Sequence, residues 1–191
     1  MERSIATSTF GMEYAYLYQY VSKRSGMPNE TTQLILNFKG RNPEAVNRIK
    51  EGMIEQVASM VPYLRDRLRC RYLVSLPSSS KGGLNRPCED VCVALAAKFP
   101  WLTHLPGALE RTTAVQKSAY AYPGHRPGYQ QHKDSIRYAR VPVVRASHQT
   151  IIIVDDVITR GETSGACRDI LMQATKCERV FGLFAAKTVY A

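Results

Sequence analysis

Two adjacent carboxylates, Asp155 and Asp156, follow the apolar run Ile151-Ile152-Ile153-Val154 and precede Val157-Ile158-Thr159-Arg160-Gly161-Glu162-Thr163. The β-branched run has the composition of a central parallel strand buried on both faces, and the strand is expected to end at the acidic pair. In open parallel sheets, ligands bind beyond the carboxyl ends of the strands. Thr159, Gly161 and Thr163 then surround a turn entering a helix. Free backbone N–H groups there, joined by threonine hydroxyls, suit a phosphate dianion, and glycine gives the backbone room to wrap around it. Two carboxylates beside an anion pocket repel its ligand unless they hold something else, such as sugar hydroxyls or a hydrated Mg2+. A phosphorylated sugar satisfies both halves. Helix capping accounts for Asp156 or Thr159 alone, but not for the pair together with T-x-G-x-T.

A second group of polar residues, Ser78, Ser79, Ser80 and Lys81, follows the short buried-strand pattern Tyr72–Leu76. Hydroxyls, amides and one lysine suit a pyrophosphate that gains charge as it leaves. A surface turn is the competing reading of the same residues. A third stretch, 106–137, has no sustained period. It carries Arg111, Lys117, Arg126, His132, Lys133 and Arg137, interleaved with Tyr120, Tyr122 and Tyr129. An irregular stretch of that length reads as a lid, a single-stranded nucleic-acid surface, or disorder.

The elements that must position these groups are legible in outline. Residues 13–21 alternate tyrosines and read as a strand. Residues 30–38 fit either a strand or a short helix capped by Asn29 and ended by Gly40. Asn42-Pro43-Glu44 opens a helix expected to run to about Tyr63, with Val46, Ile49, Met53, Val57 and Met60 on one face. A helix over 86–98, a candidate strand over Trp101–Leu105, a helix over 163–174 and a last strand over Arg179–Ala185 follow. Strand–helix alternation from Tyr72 onward predicts an α/β fold with an open, mostly parallel sheet flanked by helices.

The 191 residues fit one domain with a sizeable core, or one with a small appendage. No apolar run approaches the length of a membrane span, and the N-terminus lacks a secretory pattern, so a cytoplasmic location without membrane contact is expected. Five scattered cysteines suggest reduced core thiols. Cys88 and Cys92, four apart on a helix, lack the partners for a zinc site. The net charge of +10 arises in residues 61–150, where all four histidines also lie beyond residue 100. That excess attracts polyanions, whether pyrophosphate or nucleic acid, although a solubilising surface has the same composition.

The segment IIVDDVITRGETS, residues 152–164, closely resembles the signature of type I phosphoribosyltransferases, which bind 5-phosphoribosyl-1-pyrophosphate (PRPP). Within that superfamily the chain resembles the ComF-like, competence-associated group. The tyrosine-rich strand, TTQLILNFKGRN, Leu109-Glu110-Arg111-Thr112 and the final motif occur in a similar order. The resemblance implies a small N-terminal hood-like part over residues 1–40 and a phosphoribosyltransferase-like core over 41–191, with a flexible lid at about 106–137. It also implies that Asp155 and Asp156 meet the ribose hydroxyls, that Val157, Thr159, Arg160, Gly161, Glu162 and Thr163 hold the 5-phosphate, and that Ser78, Ser79, Ser80 and Lys81 hold the pyrophosphate. Arg111 and Lys133 would complete the charge as lid cations. Mg2+ would be carried mainly by PRPP, near Asp155 and Asp156, without a dedicated protein site. The implied reaction transfers phosphoribose to a nitrogen acceptor with release of pyrophosphate. Arg160 stands where the family usually has threonine or serine, and Ser164 where it is usually apolar. Beside the enzyme stands a catalytically weak or inactive module in nucleic-acid-associated machinery (DNA uptake, regulation or bacterial defence), meeting nucleic acid or a protein assembly through the basic 61–150 region.

Overall fold

A computed structural model describes residues 5–21, 29–116, 127–139 and 146–189. Its strands are β1 (Ala6–Thr7), β2 (Glu13–Val21), β3 (Cys70–Ser75), β4 (Thr103–His104), β5 (Leu109–Arg111), β6 (Ile136–Tyr138), β7 (Thr150–Ile158) and β8 (Arg179–Val189). Its helices are α1 (Glu30–Lys39), α2 (Pro43–Ser59), α3 (Arg86–Lys98), α4 (Tyr129–Ser135) and α5 (Glu162–Thr175), with a π-helical turn at Pro62–Arg67. Six strands form one sheet in the order β1-β2-β8-β7-β3-β4, and β5 and β6 form a separate antiparallel pair. Only β1 runs antiparallel in the main sheet. The fold is therefore an α/β fold with an open, mostly parallel sheet flanked by helices.

Alternation along β7 shows why its apolar run is continuous. Ile152 and Val154 join the core on the α1–α3 side with Ile49, Met53, Val91 and Leu95. Ile151 and Ile153 join the core on the opposite side with Leu109, Ile136, Cys167 and Leu171. Each such side chain, wholly removed from water, contributes roughly 2 kcal/mol of transfer free energy. All five cysteines are free and buried in these two cores. Burial pushes the Cys70 thiol up to about 12 and raises the other four as well. Among the described residues no helix is long and apolar enough to cross a membrane.

Residues 30–39 are helical: the Asn29 side chain accepts from the Thr32 N–H at 2.8 Å, and Gly40 caps the other end. The helix opened by Asn42 ends at Ser59 instead of continuing to Tyr63. Pro62 has no N–H to donate and its ring crowds the preceding turn, so the chain rewinds as the π-helical turn. The strand expected over Trp101–Leu105 shrinks to two residues. Residues 1–40 carry the expected hood-like part. Of its described residues, β1 and β2 belong to the main sheet, where β2 pairs along β8 from Tyr14↔Gly182 to Val21↔Val189. Tyr14, Ala15 and Met12 are buried there, and α1 contributes Ile35 and Phe38 to the core. These described side chains pack into the core beside the main sheet.

Connections out of β3 and β7 set the geometry that matters for ligands. From β3 the chain crosses through α3 on one face to β4, and from β7 it crosses through α5 on the other face to β8. The neighbours β3 and β7 thus send their connections in opposite directions. Such a switch point leaves a crevice beyond the carboxyl ends of the two strands.

Candidate functional site

The strand β7 does not end at the carboxylates. On one side its pairing with β3 stops at Ser75↔Val154, where the Leu76 N–H donates to the Val154 carbonyl at 3.1 Å. On the other side its pairing with β8 continues through Asp155↔Phe184 and Val157↔Ala186 to Ile158↔Lys187. Residues 155–158 are therefore anchored by β8 while their other edge opens on the crevice. Alternation sends the two carboxylates to opposite faces. Asp156 turns toward α1, where the Lys39 ammonium lies 3.2 Å away. Asp155 accepts from the Asn85 side-chain amide at 3.0 Å.

The two partners do different electrostatic work. Burial and the neighbouring Asp156 charge push the Asp155 carboxyl far above its ordinary range, to about 8, against the weaker opposing pull of Lys39 and Asn85. Asp155 is thus a protonated acid near neutrality, able to donate as well as accept. Burial lowers the Lys39 ammonium, but the Asp156 and Asp155 charges outweigh it and leave the group raised. Asn85 sits at the N-cap of α3 yet makes no cap bond. Its amide is committed to Asp155.

Beyond Ile158 the chain makes a two-residue bend and passes through Gly161 at φ +80°, a left-handed conformation that favours glycine. The helix α5 starts at once, with its first turn carrying no side-chain cap. Its leading N–H groups lack helical acceptors, so they present positive partial charge. Thr159 and Arg160 are exposed, and Glu162 and Thr163 half-buried. The Thr159 hydroxyl lies 3.0 Å from that of Thr188, and Arg160 turns to Glu162 at 2.8 Å. The unusual cation in the loop is thereby matched by a neighbouring carboxylate.

The serine loop between β3 and α3 is tied into the same crevice. The Ser78 N–H donates to the Gly83 carbonyl at 3.0 Å, and Gly82 takes φ +62°. A Cβ on Gly83 would lie 2.2 Å from the Ser78 hydroxyl oxygen, so the loop folds tightly around that position. Ser78 and Ser79 are half-buried, and Ser80 and Lys81 exposed. Asn85 at the far end of this loop is the residue that reaches Asp155.

The stretch 106–137 departs from the irregular lid. Its segment 117–126, with Lys117, Tyr120, Tyr122 and Arg126, lies outside the described residues. On either side the chain is regular: β5 pairs with β6 from Leu109↔Tyr138 to Arg111↔Ile136, and α4 packs against α5. Arg111, expected as a mobile lid cation, is 1% exposed and lies within β5. Its guanidinium donates from Nε to the Ser78 carbonyl at 2.7 Å and from Nη1 to the Ser135 hydroxyl at 2.7 Å. Nη2 lies 3.4 Å from Nδ1 of His132. Such an arginine is an anchor, because each of its three guanidinium nitrogens meets a protein partner before a ligand arrives. Lys133 lies on α4 with its ammonium 5.6 Å from the Tyr129 ring centroid.

Four participants were not singled out in the sequence as site residues: Lys39, Asn85, His132 and Ser135. His132 read only as one basic residue in an irregular stretch, and Lys39, Asn85 and Ser135 had no reading of their own. Their partners are set by tertiary packing, which leaves no local signal in the sequence.

No family model matches the chain, and no curated protein matches it. Among solved structures the chain is similar to an adenine phosphoribosyltransferase, with a TM-score of 0.45 and 16% identity over 78% of this chain and 73% of the other. It is also similar to the Saccharomyces cerevisiae adenine phosphoribosyltransferase complexed with D-2,5-dideoxy-2,5-imino-altritol 1,6-bisphosphate and adenine, with a TM-score of 0.42 and 18% identity over 78% and 72% of the two chains. The Leishmania tarentolae adenine phosphoribosyltransferase gives a TM-score of 0.42 and 12% identity over 88% and 83%.

Proposed function

We propose that the protein binds PRPP, or a closely related 5-phosphorylated ribose, in the crevice between β3 and β7 and transfers its phosphoribosyl group to a nitrogen acceptor. The observation that carries this is the meeting of three features at one switch point: the Asp155/Asp156 pair on an open strand edge, the uncapped start of α5, and the serine loop. The resemblance of residues 152–164 to the phosphoribosyltransferase signature supports the same assignment. Asp155 and Asp156 take the ribose hydroxyls, with Asp155 able to donate to one and accept from another. The 159–163 turn takes the 5-phosphate through backbone N–H groups and the Thr159 and Thr163 hydroxyls.

In the reaction the C1–oxygen bond to pyrophosphate breaks, a bond from the acceptor nitrogen to C1 forms, and pyrophosphate leaves with the bonding electrons. Ser78–Ser80 and Lys81 stabilise the leaving charge. Among the described residues no group of three metal-ligating side chains is present. Asp155 and Asp156 present oxygen donors that would suit a Mg2+ carried mainly by the pyrophosphate, and that metal would neutralise phosphate charge when bound. Calorimetric titration with Mg·PRPP tests the site. Binding by the wild type that is lost in Asp155→Asn/Asp156→Asn is expected, and equal binding by both proteins would sink the assignment.

A second reading, the nucleic-acid-associated module, is favoured by a separate observation. A cavity of about 340 Å³ at the amino ends of β3 and β7 is lined by Arg65, Arg69, Arg71, Trp101 and His148. Exposed arginines around a half-buried tryptophan suit phosphates and a stacked base. This face lies at the opposite end of the sheet from Asp155, so both readings can hold together. Binding of single-stranded DNA that weakens steeply with salt, and is lost in Arg69→Ala/Arg71→Ala, is the expected result. A flat salt response would remove it.

A further inference from the structure

A continuous chain of buried polar contacts joins the two anion-binding loops. It begins at the Ser78 carbonyl, passes through Nε and Nη2 of Arg111 to Nδ1 of His132, and leaves from Nε2 of His132 to the Thr163 hydroxyl at 3.1 Å. Arg111 is 1% exposed, His132 5% and Ser135 5%. The His132 ring is additionally framed by its own helix, since the Ser135 hydroxyl donates both to this frame, at the His132 carbonyl 3.1 Å away, and accepts from Arg111 Nη1. The residues come from four separate elements: the loop after β3, then β5, α4 and α5.

Proton inventory fixes the direction of the chain. A guanidinium only donates, so Nδ1 of His132 must accept. Burial and the adjacent Arg111 charge hold the imidazole neutral, with its pKa lowered to about 4. A neutral ring that accepts at Nδ1 carries its proton on Nε2, and that proton points at the Thr163 oxygen. One lone pair of the threonine hydroxyl is thereby taken, and its own hydrogen is left to donate elsewhere. Thr163 lies in the first turn of α5, where the leading backbone N–H groups lack helical acceptors. A hydroxyl whose hydrogen is free to donate in that position is matched to a phosphate oxygen.

We propose that Arg111 and His132 are positioning residues: they lock the Thr163 hydroxyl as a hydrogen donor to a ligand phosphate and couple its placement to the Ser78 loop. This rests on the assignment of the 159–163 turn as a phosphate site, and it adds to that assignment how the turn is set. The pair acts through Thr163 and touches no ligand itself. Because the same guanidinium holds the Ser78 carbonyl, the distance between the two anion loops is set by side chains that are buried before binding.

The test compares His132→Phe, His132→Gln, Thr163→Val and the double variant His132→Phe/Thr163→Val, using ribose 5-phosphate and Mg·PRPP as probes in calorimetry. Glutamine keeps an acceptor toward Arg111 and a donor toward Thr163, whereas phenylalanine keeps only ring volume. His132→Phe should weaken both probes about tenfold, the size of one lost oriented hydrogen bond, and His132→Gln should recover most of that loss. In the Thr163→Val background the phenylalanine change should have no further effect on affinity. In the 15N-histidine spectrum of the wild type, His132 should be the Nε2–H tautomer, and its resonance should shift when ribose 5-phosphate is added. An Nδ1–H tautomer, or a folded His132→Phe that binds as well as the wild type, overturns the proposal while leaving the phosphate site standing. If His132→Phe fails to fold, the glutamine variant and the tautomer decide. Failure of the wild type to bind either probe overturns the phosphate site and the positioning pair together.

Discussion

Replacing Asp155 with asparagine should stabilise the folded protein above neutral pH, although it removes a residue assigned to the ligand. The Asp155 carboxyl is raised from 3.8 to about 8 by burial and by Asp156. Between those values the folded state holds a proton that the unfolded chain has released. Stability is therefore complete below about pH 4 and falls as pH rises toward 8. At about 1.4 kcal/mol per unit, the full shift sets a ceiling of roughly 6 kcal/mol lost across that window. The carboxyl is only part-buried, and Lys39 lies close enough to relax the charged form. Screening of that kind brings the expected loss to about 2 kcal/mol. Asparagine has the same shape, keeps an oxygen to accept from Asn85, and carries no charge at any pH. Urea unfolding of both proteins at pH 5 and pH 8, in phosphate-free buffer, measures the difference. The variant should exceed the wild type by about 2 kcal/mol at pH 8, with the gap closing toward pH 5. Parallel pH slopes, or a variant less stable at pH 8, would refute the electrostatic account.

Three further substitutions probe the frame around the site. Gly161→Ala forces a side chain onto φ +80°; it should cost about 1 kcal/mol in chemical unfolding and weaken ribose 5-phosphate in calorimetry by more than that. Arg111→Met strands the Ser78 carbonyl and the Ser135 hydroxyl; a loss of about 3 kcal/mol should appear as a lower thermal midpoint. Gly182→Ala sets a Cβ 2.4 Å from the Phe184 ring and 2.8 Å from the Tyr14 Cβ. Overpacking where β2 meets β8 should cost about 2 kcal/mol, measured by urea unfolding, and should leave the pH dependence unchanged.

What was legible in the sequence was local. The run Ile151–Val154 announced a doubly buried strand because its two faces meet two separate cores. The turn at 159–163 was legible because Gly161 and the flanking threonines are contiguous. The end of β7 was misplaced because paired aspartates look like a stop, whereas β8 continues to pair on one side as far as Ile158. Lys39 and Asn85 reach the aspartates from 117 and 70 residues away, a distance at which no pattern of spacing operates. Arg111 was misread for a different reason. A fully buried arginine is rare, so an arginine near an irregular stretch is expected at the surface. Only the convergence of a carbonyl, a serine and a histidine around it makes burial affordable. The N-terminal strand was legible as a strand but its place in the sheet was not, because pairing with β8 leaves no trace in either segment alone.

The buried thiols make the two sides of the sheet separately observable. Cys70, Cys88 and Cys92 lie in the core beneath α1–α3, and Cys167 and Cys177 in the core beneath α5. With every thiol buried and held protonated, an alkylating reagent can react only after the layer above has lifted. Labelling rates read residue by residue then act as two clocks, one for each layer. A phosphate ligand seated at the start of α5 should slow the Cys167 clock, and the clock beneath α3 should slow with it only if the whole sheet opens as one unit.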